Sequence, residues 1–278
     1  MMDLFHEVSQ DCSRITTEKY STSFFSAIKL LHKDFRAPIC NIYGFVRFAD
    51  EIVDSFHEHP KADLLADFKK STYEAIEKKI SLNPILNSFQ ITVNEYQIDH
   101  HLIEAFLYSM ELDLEKREYD KLGYEEYIYG SAEVVGLMCL HVFCAGHKEE
   151  YETLKPYARS LGAAFQKVNF LRDLRADFEG LDRVYFPGCN FNNFTEKDKL
   201  EIERDIQKDF DHAFEGIQKL PIKARFGVYV AFKYYLSLFK KIKKIQPQKI
   251  MQQRIRIPDY GKFFILAKAG IRSQMNML

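Results

Sequence analysis

The sequence predicts an all-α fold, one helical bundle spanning residues 1–278. Three observations carry this. Breakers are scarce, with 12 Gly and 8 Pro in 278 residues, which disfavours a strand-and-turn architecture. Apolar residues recur at steps of three and four along most of the chain. Hydrophobic residues make up 46% and charged residues 28%, enough to bury a sizeable core and unlike a disordered chain. Neither a repeat nor a low-complexity linker divides the sequence, so a single domain is expected.

The elements follow in order. Residues 37–56 carry apolar side chains at 39, 42, 45, 46, 49, 52, 53 and 56, and Pro38 suits a first helical turn. Residues 61–80 form a charged amphipathic segment that Asn83-Pro84 breaks. Asp99 can cap a helix running to about 118. Residues 124–145 are unusually apolar, and the small residues Gly130, Ser131, Ala132 and Gly136 either let helices approach or leave room for a ligand. A long helix covers 149–178, and a loop rich in Gly, Asn and Pro covers 180–194. Further helices are expected at 196–219, 222–244 and 258–275.

Charge is unevenly spread. The formal net charge is −1, yet residues 217–278 hold 14 Lys and Arg against one acid, Asp259. By difference, residues 1–216 hold 25 basic and 39 acidic residues. The basic tail reads equally as a solvated face or as a surface for phosphate, anionic lipid or nucleic acid. No nucleic-acid module accompanies it, so no nucleic-acid partner is expected. The five cysteines include no C-x-x-C pair, which fits reduced thiols in a cytoplasmic protein. No uninterrupted apolar run reaches the roughly 18 residues of a spanning helix; the longest, 134–146, contains His141.

Two acidic pairs stand out. Asp50 and Asp54 are four apart, as are Asp173 and Asp177. On a helix that spacing puts both carboxylates on one face, about 6 Å apart at Cβ. Each pair closes an apolar stripe: Ile42, Val46 and Val53 beside the first; Leu161, Ala164, Phe165 and Val168 before the second. Acids on an inner face are costly unless a cation shares them. Mg²⁺ prefers oxygen ligands and binds through one or two carboxylates plus substrate phosphates. Two such pairs at the mouth of an apolar cavity could therefore grip a diphosphate through metal ions, while the cavity excludes water from a carbocation.

Four blocks of sequence resemble the squalene and phytoene synthase family: Tyr20-Ser-Thr-Ser23-Phe24; Ile42-Tyr43-Gly-Phe-Val-Arg47-Phe-Ala-Asp50-Glu-Ile-Val-Asp54; Tyr127-Ile-Tyr129-Gly130-Ser-Ala132-Glu-Val-Val135-Gly136; and Gly162 to Asp177, containing Asn169-Phe-Leu-Arg172-Asp173, followed by Arg183-Val-Tyr-Phe-Pro187. The resemblance covers roughly residues 15–265 and looks most like a bacterial phytoene synthase. It implies an isoprenoid synthase-type helical bundle with a central hydrophobic cavity. It also implies Mg²⁺, with Mn²⁺ as the alternative ion, and head-to-head 1–1′ condensation of two geranylgeranyl diphosphates to phytoene through a cyclopropyl diphosphate.

By matching position, Asp50, Asp54, Asp173 and Asp177 would bind metal and Arg47 would meet diphosphate. Tyr127 would steer the cation or its proton. Ser21, Ser23, Gln166, Asn169, Arg172, Tyr235, Arg254 and Lys262 would bind substrate. Glu51 stands where the family often has Asp, and Tyr20 where squalene-type members have His. No G-x-G-x-x-G fingerprint occurs, so NADPH is not expected. Lipid substrates would favour peripheral contact with the inner membrane face, around the basic residues 240–249. The sequence leaves the oligomeric state open. Two rivals stand beside this reading: a squalene or dehydrosqualene synthase using farnesyl diphosphate, and a non-catalytic binding or assembly protein. His57, His59, His100 and His101 read as surface residues, and Phe24, Phe25, Phe165, Phe170 and Tyr124 as core packing.

Overall fold

The protein is described by a computed structural model covering residues 2–115, 119–180, 185–189, 194–250, 255–256 and 269; of residues 115 and 175–180 only the backbone is described. Twelve α-helices and one π-helical turn account for nearly all of the described residues, and no strand occurs among them. In chain order they are α1 (Met2–Tyr20), α2 (Thr22–Ile28), α3 (Lys33–Ser55), α4 (Lys61–Lys78), α5 (Pro84–Tyr96), α6 (His100–Glu115), α7 (Lys121–Ile128), a π turn (Tyr129–Glu133), α8 (Val134–Cys144), α9 (Lys148–Gly180), α10 (Glu196–Lys219), α11 (Ile222–Lys243) and α12 (Pro247–Ile250).

Local chemistry explains most boundaries. Asn83 caps α5 through its Oδ1, which accepts from the amide of Ile85 at 3.0 Å, and Pro84 occupies the first turn. Asp99 starts α6 by accepting from the His101 amide at 3.0 Å. Thr195 and Asp198 form a reciprocal capping box on α10. Left-handed residues end α4 at Lys79, α5 at Gln97 and α8 at Ala145.

The all-α expectation holds, and several boundaries move. Helix α3 begins at Lys33, so Pro38 lies in the second turn instead of the first. The extra turn is earned by packing, because it buries Phe35. Helices α1, α2 and α5 go beyond the sequence reading. For α5, Asn83-Pro84 reads as a stop, whereas the same pair caps and starts the next helix. Segment 124–145 becomes α7, the π turn and α8 in one rod. By length and composition Lys121–Cys144 could cross a membrane, with mean hydropathy 1.4, because averaging tolerates the polar residues that interrupt an apolar run. Half of that window is buried inside the bundle. The helix expected at 258–275 lies outside the described residues.

The core has two parts. One is an aromatic stack between α3, α4, α5 and α6. Phe45 lies parallel to Phe89 at 3.9 Å between centroids, with Phe68 at 5.7 Å and Phe106 at 5.4 Å. The other surrounds a cavity between α2, α3, α6, α8, α9, α10 and α11. Close approach shapes its wall. A Cβ on Gly162 of α9 would lie 2.6 Å from the Ala132 carbonyl oxygen of the π turn, and one on Gly130 would lie 2.6 Å from the Ala105 carbonyl oxygen. These glycines let the backbones touch.

Candidate active site

The cavity encloses about 620 Å³, and two helical stripes set its character. On α3 the residues lining it are Ile39, Tyr43, Val46, Arg47, Asp50 and Asp54, a three-and-four spacing that turns from apolar to acidic along the helix. On α9 the stripe passes from Leu161 and Phe165 through Gln166 and Asn169 to Arg172 and Asp173. The remaining wall is largely apolar, with Leu31, Phe143, Leu154, Ile217 and Leu220 among its residues. A pocket this apolar with a few polar groups at one end suits a long hydrocarbon carrying a charged head.

Asp50, Asp54 and Asp173 all line this one cavity. Charge, a hydrogen bond and ring packing connect the two acidic helices by way of α6. The Asp113 charge acts on Asp50, Asp113 accepts from Tyr127 at 2.6 Å, and the Tyr127 ring stacks on Phe170 of α9 at 6.0 Å. Burial, reinforced by Asp54, lifts the Asp50 carboxyl to about 7 against the pull of Arg47. Burial alone would lower Arg47, but Asp50 and Glu51 outweigh it and hold the guanidinium above its ordinary value. Arg47 pairs with both carboxylates and lies over the Tyr20 ring at 4.4 Å, which leaves its buried Nε without a hydrogen-bond partner. Arg172 pairs with Asp173 through Nε at 3.0 Å.

Ser21 lines the cavity as the cap of α2 and hydrogen-bonds Tyr43. The Tyr43 phenol is pushed up to about 12, chiefly by burial. Gln166 donates to Ser131 at 3.3 Å, and Asn169 Nδ2 donates to Gln166 at 3.4 Å. The Asn169 Oδ1 is buried and has no hydrogen-bond partner. Tyr235 stacks on Phe165 at 3.9 Å and lines the cavity.

One expected residue departs. Ser23 does not line the cavity; it sits two residues beyond Ser21 on α2, roughly 200° around a helix with 3.6 residues per turn. Three aromatics assigned to packing, Phe24, Phe165 and Phe170, line the cavity, while Phe25 is core. Tyr124 packs between Phe170 and Phe186. His57, His59, His100 and His101 are exposed. Asp177 continues α9 four residues beyond Asp173, but its side chain lies outside the described residues, as do Arg183, Arg254 and Lys262 entirely. The sequence reading missed Asp113. Its signal was present: an acid completing the inward stripe Phe106, Met110, Asp113 on α6.

The donor set fits a hard divalent ion. Carboxylates of Asp50, Asp54 and Asp173, with the orphan amide oxygen of Asn169, face one cavity. No three acidic, His or Cys side chains converge into a ready metal cluster among the described residues. An ion held here would therefore need oxygens from a substrate, as Mg²⁺ commonly does.

Comparison with known proteins agrees with this geometry. The squalene/phytoene synthase family model matches residues 17–260. The 4,4′-diapophytoene synthase of Staphylococcus haemolyticus is 29% identical over 215 residues, covering 75% of this chain and 72% of that protein. The phytoene synthase of Cereibacter sphaeroides is 25% identical over 261 residues, covering 84% and 71%. A dehydrosqualene synthase crystal structure in complex with ligand superposes with TM-score 0.82 at 19% identity over 98% of both chains. Squalene synthase HpnC from Alicyclobacillus acidocaldarius gives TM-score 0.75 at 16% identity over 86% and 94%. At such identities the structures speak for the fold.

Proposed function

The chain belongs to the squalene/phytoene synthase family, a family of prenyl transferases, and we propose that it joins two geranylgeranyl diphosphates head to head to give phytoene. The observation that carries this reading is the placement of Asp50, Asp54 and Asp173 on one apolar cavity. Bound between these carboxylates and the substrate, Mg²⁺ would neutralise charge developing on the departing diphosphate. Asp50, Asp54 and Asp173, with Asp177 one turn on, would hold the ion, and the Asn169 amide oxygen is a further hard donor. Arg47 would leave its carboxylates for the diphosphate oxygens, which its planar fork suits. Ser21 and Arg172 lie where they could hydrogen-bond the same group. The apolar lining keeps water from the cation, and Tyr127 adds an oxygen dipole beside it.

A second reading has its own support. The 29% identical relative is a 4,4′-diapophytoene synthase, so condensation of two farnesyl diphosphates is the alternative. Purified protein with Mg²⁺ and each prenyl diphosphate, with and without NADPH, separates the two by mass spectrometry of the extracted products. The expected product is a forty-carbon hydrocarbon formed without reductant. Product from farnesyl diphosphate alone would replace the assignment with the shorter one, and absence of Mg²⁺-dependent diphosphate release would refute both.

A further inference from the structure

One carboxylate at this site belongs to neither aspartate pair. Asp113 of α6 is only 8% exposed and lines the cavity. It accepts hydrogen bonds from Tyr127 at 2.6 Å and Tyr119 at 3.3 Å. The Tyr127 ring is fixed independently, stacked 5.3 Å from Tyr185 and 6.0 Å from Phe170, with Tyr119 tilted at 4.9 Å. Packing thus sets the ring, and Asp113 sets the hydroxyl rotor.

A phenol whose proton is committed to a carboxylate has only oxygen lone pairs left to offer the cavity. Burial, with the Asp113 charge, keeps Tyr127 neutral by raising its ionisation well above the ordinary range. An amide or hydroxyl could accept the same bond without burying a charge, which is costly.

We propose that Asp113 is a positioning residue for the cation chemistry of this cavity: it fixes the Tyr127 hydroxyl as an acceptor and sets a buried negative charge behind it. This rests on the prenyl-transfer reading, since that reaction supplies the cation. The charge would act on the cationic transition state far more than on the neutral tail of the bound substrate, so it should appear in kcat and not in KM.

The test is steady-state kinetics with geranylgeranyl and farnesyl diphosphates on wild type, Asp113→Asn, Tyr127→Phe and the double variant, with far-UV circular dichroism as the folding check. Asn keeps the size and an acceptor oxygen but not the charge. The expected result is a kcat lower by on the order of 10²-fold in Asp113→Asn, KM within about threefold, and a double variant little worse than the worse single one. Wild-type kcat in Asp113→Asn, or a loss confined to KM, overturns the inference, as does full additivity of the two single effects. If Asp113→Asn does not fold, Asp113→Glu decides: displacing the carboxylate by a methylene should lower kcat at least tenfold at unchanged KM, and wild-type kcat overturns the proposal. A wild-type chain inert with both diphosphates overturns the prenyl-transfer reading and this inference with it. An active wild type with an unimpaired Asp113→Asn overturns this inference alone.

Discussion

Replacing Gly162 with Ala tests whether the contact between α9 and the π turn is set by backbone touching backbone. The new Cβ would stand 2.6 Å from the Ala132 carbonyl oxygen and 2.9 Å from the Glu133 Cα. Ordinary contact begins at 3.4 Å, so α9 must withdraw by nearly an ångström, and no flexible side-chain end can absorb the shift. Overpacking of this kind costs up to about 3 kcal/mol. Ala returns up to about 1 kcal/mol in helix propensity over Gly, leaving a net loss of about 2 kcal/mol. For a protein of this size that lowers Tm by about 4–8 °C. The withdrawal also stretches the Gln166–Ser131 hydrogen bond of 3.3 Å, one turn along α9, so kcat should fall with the stability. Differential scanning calorimetry and turnover on the same sample check both. A Tm equal to or above wild type would refute the close-packing argument, because propensity would then outweigh a clash that is not there.

Three further outcomes follow from the geometry. Asp50→Ala and Asp173→Ala should each lower product formation by at least about 10²-fold with the fold intact; near-normal product from either, measured by extraction and mass spectrometry, would remove that residue from the metal site. Asp50 is raised to about 7, so its contribution to metal-free stability is full below about 4, its usual range, and is lost as pH rises through 7. Mg²⁺ needs the ionised form, so the rise in Tm caused by Mg²⁺ should grow between pH 6 and pH 8 and should largely vanish in Asp50→Asn; a pH-independent Mg²⁺ effect would contradict this. Lys167 is buried and pairs with the half-exposed Asp205 at 2.5 Å and the more buried Asp209 at 2.7 Å across α9 and α10; Lys167→Ala leaves the Asp209 carboxylate without its cation and should cost about 2 kcal/mol in urea unfolding, whereas a loss below about 0.5 kcal/mol would show that pair to be solvated as well.

Much of this molecule was legible in the sequence because its signals are local. Three-and-four spacing fixes which face of α3 and α9 turns inward, and a separation of four puts Asp50 beside Asp54 on that face. Breaker scarcity was enough for the helical class. Caps were harder: Asn83-Pro84 ends one helix and starts another, and only the packing of α5 against α3 and α4 distinguishes those roles. The rest required three dimensions. Ser21 and Ser23 look equivalent as letters, yet two residues are about 200° of helix, which sends the second away from the cavity. Asp113 looks like one acid among forty until the packing of α6 against α7 brings it to Tyr127, fourteen residues further along. Phe24, Phe165 and Phe170 read as core because a cavity wall and a core have the same composition; only the space beside them tells the two apart. Periodicity thus determined the long helices α3 and α9 and their inward faces, since both depend on neighbours within a turn or two. Which faces meet, and which side chains meet across a hollow, was decided by close backbone contacts such as Gly162 on Ala132, which no local pattern encodes.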